Sequence, residues 1–242
     1  MPTTYMNLTN RLLRRLNEVE LTESNFAAAK GIQATAKDCI LDTVREINTS
    51  RIDWPFNAVE HSQYLEVGVE EYGWPSALVA ADWDSFQIQK DDTLNVNHKR
   101  LTPISREEWY TRHRDKDYDT ETTGQKIPDY TFPSHGSGWG VSPSPDQEYL
   151  IKYRYYKNPT DLSLYDDEVT IPNRYDYVIM SGALYHLNIF KENVDAATLA
   201  EGRYKKGVDT MVYALLPNPR DVYAGIVNRG GSVRKTSNIW NG

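Results

Sequence analysis

Four stretches of the chain carry residue types that could do metal, acid–base or phosphate chemistry. His113-Arg-Asp-Lys-Asp117 sets two carboxylates beside an imidazole, which is a metal donor set. The acid pairs Asp91-Asp92 and Asp166-Asp167 could serve glycoside hydrolysis or hold calcium. Gly136-Ser-Gly-Trp-Gly140 has the glycine content of a phosphate cradle. Each stretch has a plainer origin. The histidine segment is charged and loop-like, as solvated surface is. Both Asp pairs fall in turns, where Asp side chains bond nearby backbone N–H groups. The glycine run does not lead from a strand into a helix, so it lacks the context that binds phosphate. The five histidines, at 61, 98, 113, 135 and 186, form no His-x-x-x-His pair, and HExxH, GxSxG and GxxxxGK[ST] are absent. His186 sits beside Tyr185 and Leu187 inside a helical pattern and reads as packing or surface. The single Cys39 excludes an intrachain disulfide and a multi-cysteine zinc site. The expectation is a protein without enzymatic activity, cofactor or metal.

Bulk properties narrow the class. A chain of 242 residues can bury a full core. Tyr and Trp supply 23 of its apolar residues, and such amphipathic side chains suit interfaces as well as cores. No run of apolar residues is long enough to span a bilayer and no signal-peptide core is present, which predicts a soluble, unsecreted protein with no membrane partner. In that setting the Asn48-Thr-Ser50 sequon carries no meaning. The net charge of −7 argues against a nucleic-acid reader held by phosphate contacts. Charge is unevenly spread: residues 60–92 carry −7, residues 217–242 carry +3. Such asymmetry suits one region of a subunit meeting another region of a copy or partner, and equally suits plain solvated surface.

The elements that would position these residues follow from hydrophobic period. Leu8, Leu12, Leu16 and Val19 predict an opening helix, and Ile32, Ala36, Ile40, Val44 and Ile47 predict a second over about 25–47. From about residue 60 the period becomes two. Leu65, Val67 and Val69 predict one strand, Tyr72-Gly-Trp-Pro75 a turn, and Phe86 and Ile88 another strand. Asp91-Asp92 predicts a turn into a run bearing Leu94, Val96 and His98. Ser105-Arg-Glu-Glu108 is a capping box that opens a short helix over 106–113. Residues 114–148 read as irregular with short strands near Tyr130 and Val141, and Tyr149, Ile151, Tyr153 and Tyr155 as one strand face. Helical period returns in Tyr177, Met180, Ala183, Leu184 and Leu187, then in Tyr204, Val208, Met211 and Leu215. Residues 217–242 show no sustained period and predict an extended segment without its own core. The fold class is α+β: residues 1–57 and 158–216 form a helical domain, 58–157 an inserted β-rich domain, and 217–242 an extended C-terminal tail.

The order of these elements resembles the head-to-tail adaptor, or connector, proteins of tailed bacteriophages, particularly short-tailed ones. The resemblance is carried by Asn10-Arg-Leu-Leu-Arg-Arg-Leu-Asn-Glu-Val19, Trp54-Pro-Phe-Asn57 and Leu101-Thr-Pro-Ile-Ser-Arg-Glu-Glu-Trp109. Further along lie Pro143-Ser-Pro-Asp-Gln-Glu-Tyr149, Ile171-Pro-Asn-Arg-Tyr175, Ser181-Gly-Ala-Leu-Tyr185 and the helix through Tyr204. It implies a structural virion protein at the head–tail interface, assembled in the host cytoplasm. It further implies a ring of usually twelve copies bound to the portal protein, which carries tail or nozzle proteins and continues the DNA channel without sequence-specific binding. Genome ejection would pass through it. In such proteins the C-terminal segment commonly reaches the portal. Here Ile226, Val227, Ile239 and Trp240 could add strand pairing and apolar anchors, while Arg229, Arg234 and Lys235 would seek carboxylates. Two other classes compete: a carbohydrate- or receptor-binding tail protein using the aromatics of the β region, and a hydrolase using an acid pair.

Overall fold

The computed structural model describes residues 3–90, 97–114, 125–136 and 138–216, a mixed α+β chain with two sheets. Contacts divide the described residues into a β-rich unit, 3–5 with 44–172, and a helical unit, 6–43 with 173–216.

In the helical unit, α1 (Tyr5–Arg15) buries Leu8, Leu12 and Leu13 completely. It is shorter than its hydrophobic spacing predicts. Asn17 takes φ 57°, and the Glu18 N–H returns to the Leu13 carbonyl at 3.0 Å, closing the helix before Val19, which is left exposed. The chain that follows is held by the buried Asn10, whose amide both donates to and accepts from the Leu21 backbone at 2.8 Å. Helix α2 (Ile32–Ser50) begins later than the predicted residue 25 and ends later than 47. Residues 22–28 fold into turns instead, with Asn25 Oδ1 accepting from the Thr22 N–H at 2.7 Å, and Gly31 at φ 57° redirects the chain into the helix. Buried Phe26 anchors this stretch, under the Lys37 ammonium at 4.2 Å.

Helices α4 (Asp176–Phe190) and α5 (Val194–Leu215) form an antiparallel hairpin. Asn193 caps α5 by accepting from the Ala196 N–H at 3.2 Å. Two glycines set their packing distance. A Cβ on Gly182 would strike the Thr43 methyl and lie 3.0 Å from the Tyr204 ring, and one on Gly207 would lie 2.8 Å from Val178. Val178, Met180, Ala183, Leu187 and Met211 are buried, whereas Tyr177, predicted on the inner stripe, is exposed.

The β-rich unit holds two four-stranded sheets. One has the order β1 (Ala58–Leu65), β8 (Tyr149–Lys157), β3 (Leu78–Lys90), β4 (Asn97–Arg100). The other has the order β2 (Glu71–Gly73), β7 (Gly138–Ser142), β6 (Tyr130–Pro133), β5 (Thr102–Pro103). Among the described residues only the β5–β6 pair is parallel. The inner faces share one core: Leu65, Phe86, Ile88 and Tyr153 from the first sheet meet Trp139 and Val141 from the second. Phe86 stacks on Tyr153 at 4.6 Å and on Trp83 at 5.5 Å, and meets Trp139 edge-on at 5.1 Å. Between β5 and β6, α3 (Arg106–Glu108) is capped by Ser105 Oγ, which accepts from the Glu108 N–H at 3.1 Å. It runs on as one wider turn over Trp109–His113, and Trp109 stacks on Phe132 at 4.5 Å.

Two strand predictions are corrected here. The alternation at Leu65, Val67 and Val69 does not continue one strand, because Gly68 at φ 75° turns the chain and leaves Val67 exposed. Tyr72-Gly73, predicted as a turn, is strand β2, paired with Trp139 and Gly138. The Tyr72 hydroxyl donates to the Val69 carbonyl at 2.9 Å and accepts from the Glu66 N–H at 3.0 Å, closing the intervening loop. The predicted turn at Asp91-Asp92, with Leu94 and Val96, lies outside the described residues; His98 stands in β4.

Candidate interaction surfaces

None of the stretches singled out for chemistry assembles a reactive site among the described residues. His113 ends the wide turn after α3 with its ring against Tyr130 at 4.5 Å, and Asp115 and Asp117 lie outside the described residues. Asp167 Oδ2 accepts from the N–H groups of Ser163 and Leu164, at 2.6 and 2.7 Å, and these bonds hold its carboxyl below the usual carboxylate range. It is a turn-closing residue. Gly138 and Gly140 lie in β7, where a Cβ would collide with the Tyr72 carbonyl or the Phe132 ring; Ser137 is outside the described residues. These glycines make room for the Tyr72 carbonyl of β2 and the Phe132 ring of β6. Cys39 is buried in α2, and burial pushes its thiol up to about 11, the direction of an inert thiol. Among the described residues no cluster of His, Cys, Asp or Glu is arranged to hold a metal ion. Nor is any described helix long and apolar enough to cross a membrane.

Three surfaces remain. The first is the outer face of the β1–β8–β3 sheet, a concavity of about 670 Å³ lined by Glu60, Ser62, Asp82, Asp84, Lys152 and Arg154 among others. A wide bulge makes it. Asp82 pairs with Arg154 and Gln87 with Lys152, so four residues of β3 stand opposite Tyr153 alone. Ser85 Oγ repairs the ladder by accepting from the Arg154 N–H at 2.8 Å and donating to the Asp82 carbonyl. The Arg154 guanidinium grips Asp82 Oδ2 through both Nε, at 3.0 Å, and Nη2; this bond raises its pKa further. Arg100 Nη2 meets Asp84 at 2.8 Å. This face is an ion-paired surface that sequence period did not reveal, because the bulge is set by the register of three strands.

The second surface is the free edge of β1. Among the described residues β1 pairs with β8 on one side and with no strand on the other. Its outer-face residues Glu60, Ser62 and Tyr64 are exposed. The third lies on the α4–α5 hairpin, where Phe190, Val194, Leu199 and Tyr213 are exposed and Gly202 has open space at its Cβ position.

The residues predicted to bind a partner, Arg229, Arg234, Lys235, Ile239 and Trp240, all lie outside the described residues. The aromatics proposed for a sugar platform are interior: Tyr149, Tyr153, Tyr155 and Trp139 are buried in the sheet core. Burial pushes the Tyr153 phenol up to about 12, against a smaller opposing effect of the Trp139 indole N–H.

The described residues form two sheets around one aromatic core and a helical hairpin, with Gly138, Gly140, Gly182 and Gly207 at close packing points. The family model described as SU10 adaptor protein matches residues 3–229, nearly the whole chain, and the chain belongs to that family. Comparison with curated proteins gave no match. Family membership supports a structural role as a phage adaptor at the head–tail interface of the virion.

Proposed function

We propose that this chain works as a closed ring, twelve copies around, docked on the portal protein and continuing the DNA channel toward the tail or nozzle proteins. The match to the adaptor family over residues 3–229 is the observation that carries this reading. The proposed division of labour follows the change in period. Residues 1–57 and 158–216 supply a helical base, 58–157 an inserted β module, and 217–242 an extended segment that grips the portal or an adjacent copy through Arg229, Arg234, Lys235, Ile239 and Trp240. Heterologous contacts of this kind close into rings. Repeated around an axis, the −7 of each copy makes an acidic wall that lets DNA slide past without sticking.

Electron microscopy of the chain assembled with its portal protein tests the ring and its symmetry; two-fold dimers or a monomer as the functional form would refute it. Deleting residues 220–242 tests the extended segment. The truncated chain should keep its helical signal and unfolding temperature yet fail to stay on the portal.

A further inference from the structure

The free edge of β1 is a site that the reading above does not use. Eight residues, Ala58–Leu65, pair with β8 in unbroken register from Ala58↔Tyr156 to Leu65↔Tyr149. A flat edge of that length, without proline, is a template for another strand unless something covers it. The devices that usually blunt an edge are weak here. β1 holds no Lys and no Arg, its bulge-free ladder keeps the edge straight, and among the described residues no strand or helix is paired along it. The other edge of the same sheet, β4, is only four residues long.

The same chain supplies a segment that fits. Residues 217–231 contain Pro217, Pro219, Gly225, Gly230 and Gly231, whereas Ser232–Asn241 contains neither glycine nor proline. Within it, Val233–Trp240 spans eight residues, the length of β1. Charge is complementary. The segment brings Arg234 and Lys235, and the edge offers the exposed carboxylates Glu66 and Glu60, the latter also feeling the charge of Arg154 across the ladder. Apolar groups match as well: neighbours along a strand point to opposite faces, so Ile239, on the same face as Lys235, is the one that would find Tyr64, which is 65% exposed on the outer face. The sixteen residues between Leu216 and Val233 can extend at most about 53–58 Å, which bounds how far from its own α5 the segment can act.

We infer that the stretch Val233–Trp240 of one subunit adds as a fifth strand to the β1 edge of a neighbouring copy. The inference rests on the ring reading. Each copy gives one strand and receives one, so a closed ring covers every β1 edge, whereas an open chain of subunits leaves one bare. Main-chain bonds supply the grip, while Glu60, Glu66 and Tyr64 set the register.

The test uses full-length chains, in which the native Cys39 is buried. One chain carries S62C in β1. Others carry V233C, K235C or S237C. The S62C chain is assembled with each of them on the portal protein, oxidised, and run on a non-reducing gel. A covalent heterodimer can form only between copies, and it is expected for at least one of the three positions, only in the assembled state. Three outcomes overturn the inference while leaving the ring intact. They are cross-linking of these cysteines to the portal alone, cross-linking only within a single chain that carries both substitutions, and a complete ring with no cross-link. Failure of the unsubstituted chain to form a ring removes the ring reading, and this inference with it.

Discussion

Gly182 and Gly202, two of the three glycines of the α4–α5 hairpin, should respond in opposite directions to the same substitution. Gly182 and Gly202 both lie inside helices, where alanine is intrinsically better by about 0.8–1.0 kcal/mol. At Gly202 that gain stands alone, because a Cβ there meets nothing within 4 Å. At Gly182 the Cβ would overlap the Thr43 methyl and sit 3.0 Å from two carbons of the Tyr204 ring. Thr43 cannot simply rotate away: it is fully buried, and its hydroxyl donates to the Cys39 carbonyl at 2.8 Å. Overpacking of this kind costs about 1–3 kcal/mol, so G182A should be destabilising by up to about 2 kcal/mol after the propensity gain. G202A should be stabilising by up to about 1 kcal/mol. For a chain of this size 1 kcal/mol moves Tm by about 2–4 °C. The helical signal followed during thermal unfolding should therefore fall to lower temperature in G182A and rise in G202A. A rise in both would show that the helices separate easily, and would refute the close packing of α2, α4 and α5.

Three other outcomes follow from the structure. F86A removes the ring that joins Tyr153, Trp83 and Trp139, and should cost about 3–5 kcal/mol in urea unfolding with loss of the near-ultraviolet aromatic signal; a loss below 1 kcal/mol would contradict the shared core. Tyr149 and Tyr153 both have phenols pushed up to about 12 by burial, from an ordinary 10.0. The folded state then holds their protons more tightly than the unfolded chain. The stability they add is present below pH 10 and drains away as the pH rises from 10 toward 12, so Tm should fall across that window, and Y153F should flatten part of the fall. R11A breaks the ion pair with Asp176 at 2.5 Å, whose carboxylate is only 13% exposed, and should lower stability by about 1 kcal/mol, an effect that persists in 0.5 M salt because the acid is shielded. Equal stability of R11A and the parent in urea would assign the pair no role.

Sequence by itself determined the class α+β, the strand face Tyr149, Ile151, Tyr153 and Tyr155, the Ser105 cap and the α4–α5 hairpin. Each of these depends on local period or on a side chain bonding its own backbone, and such signals survive in one dimension. Element ends were lost where a single backbone conformation decides them. Asn17, Gly31 and Gly68 all take positive φ: at Asn17 and Gly68 apolar spacing ran on past the point where the chain turns, and at Gly31 the turn delays the start of a helix expected from about residue 25. The adaptor resemblance was legible because it rests on the order of many elements. The bulge opposite Tyr153, the ion-paired face built on it and the open β1 edge were not legible, since strand register joins residues 61 to 98 positions apart and no spacing along the chain encodes it. Glycines 138 and 140 make the same point in reverse: read along the chain they suggest phosphate, and only the neighbouring Tyr72 carbonyl and Phe132 ring explain why a side chain is excluded. Period and capping fix what each segment becomes. Long-range packing fixes which surfaces are left over for a partner, because a surface is free only when nothing distant in sequence has covered it.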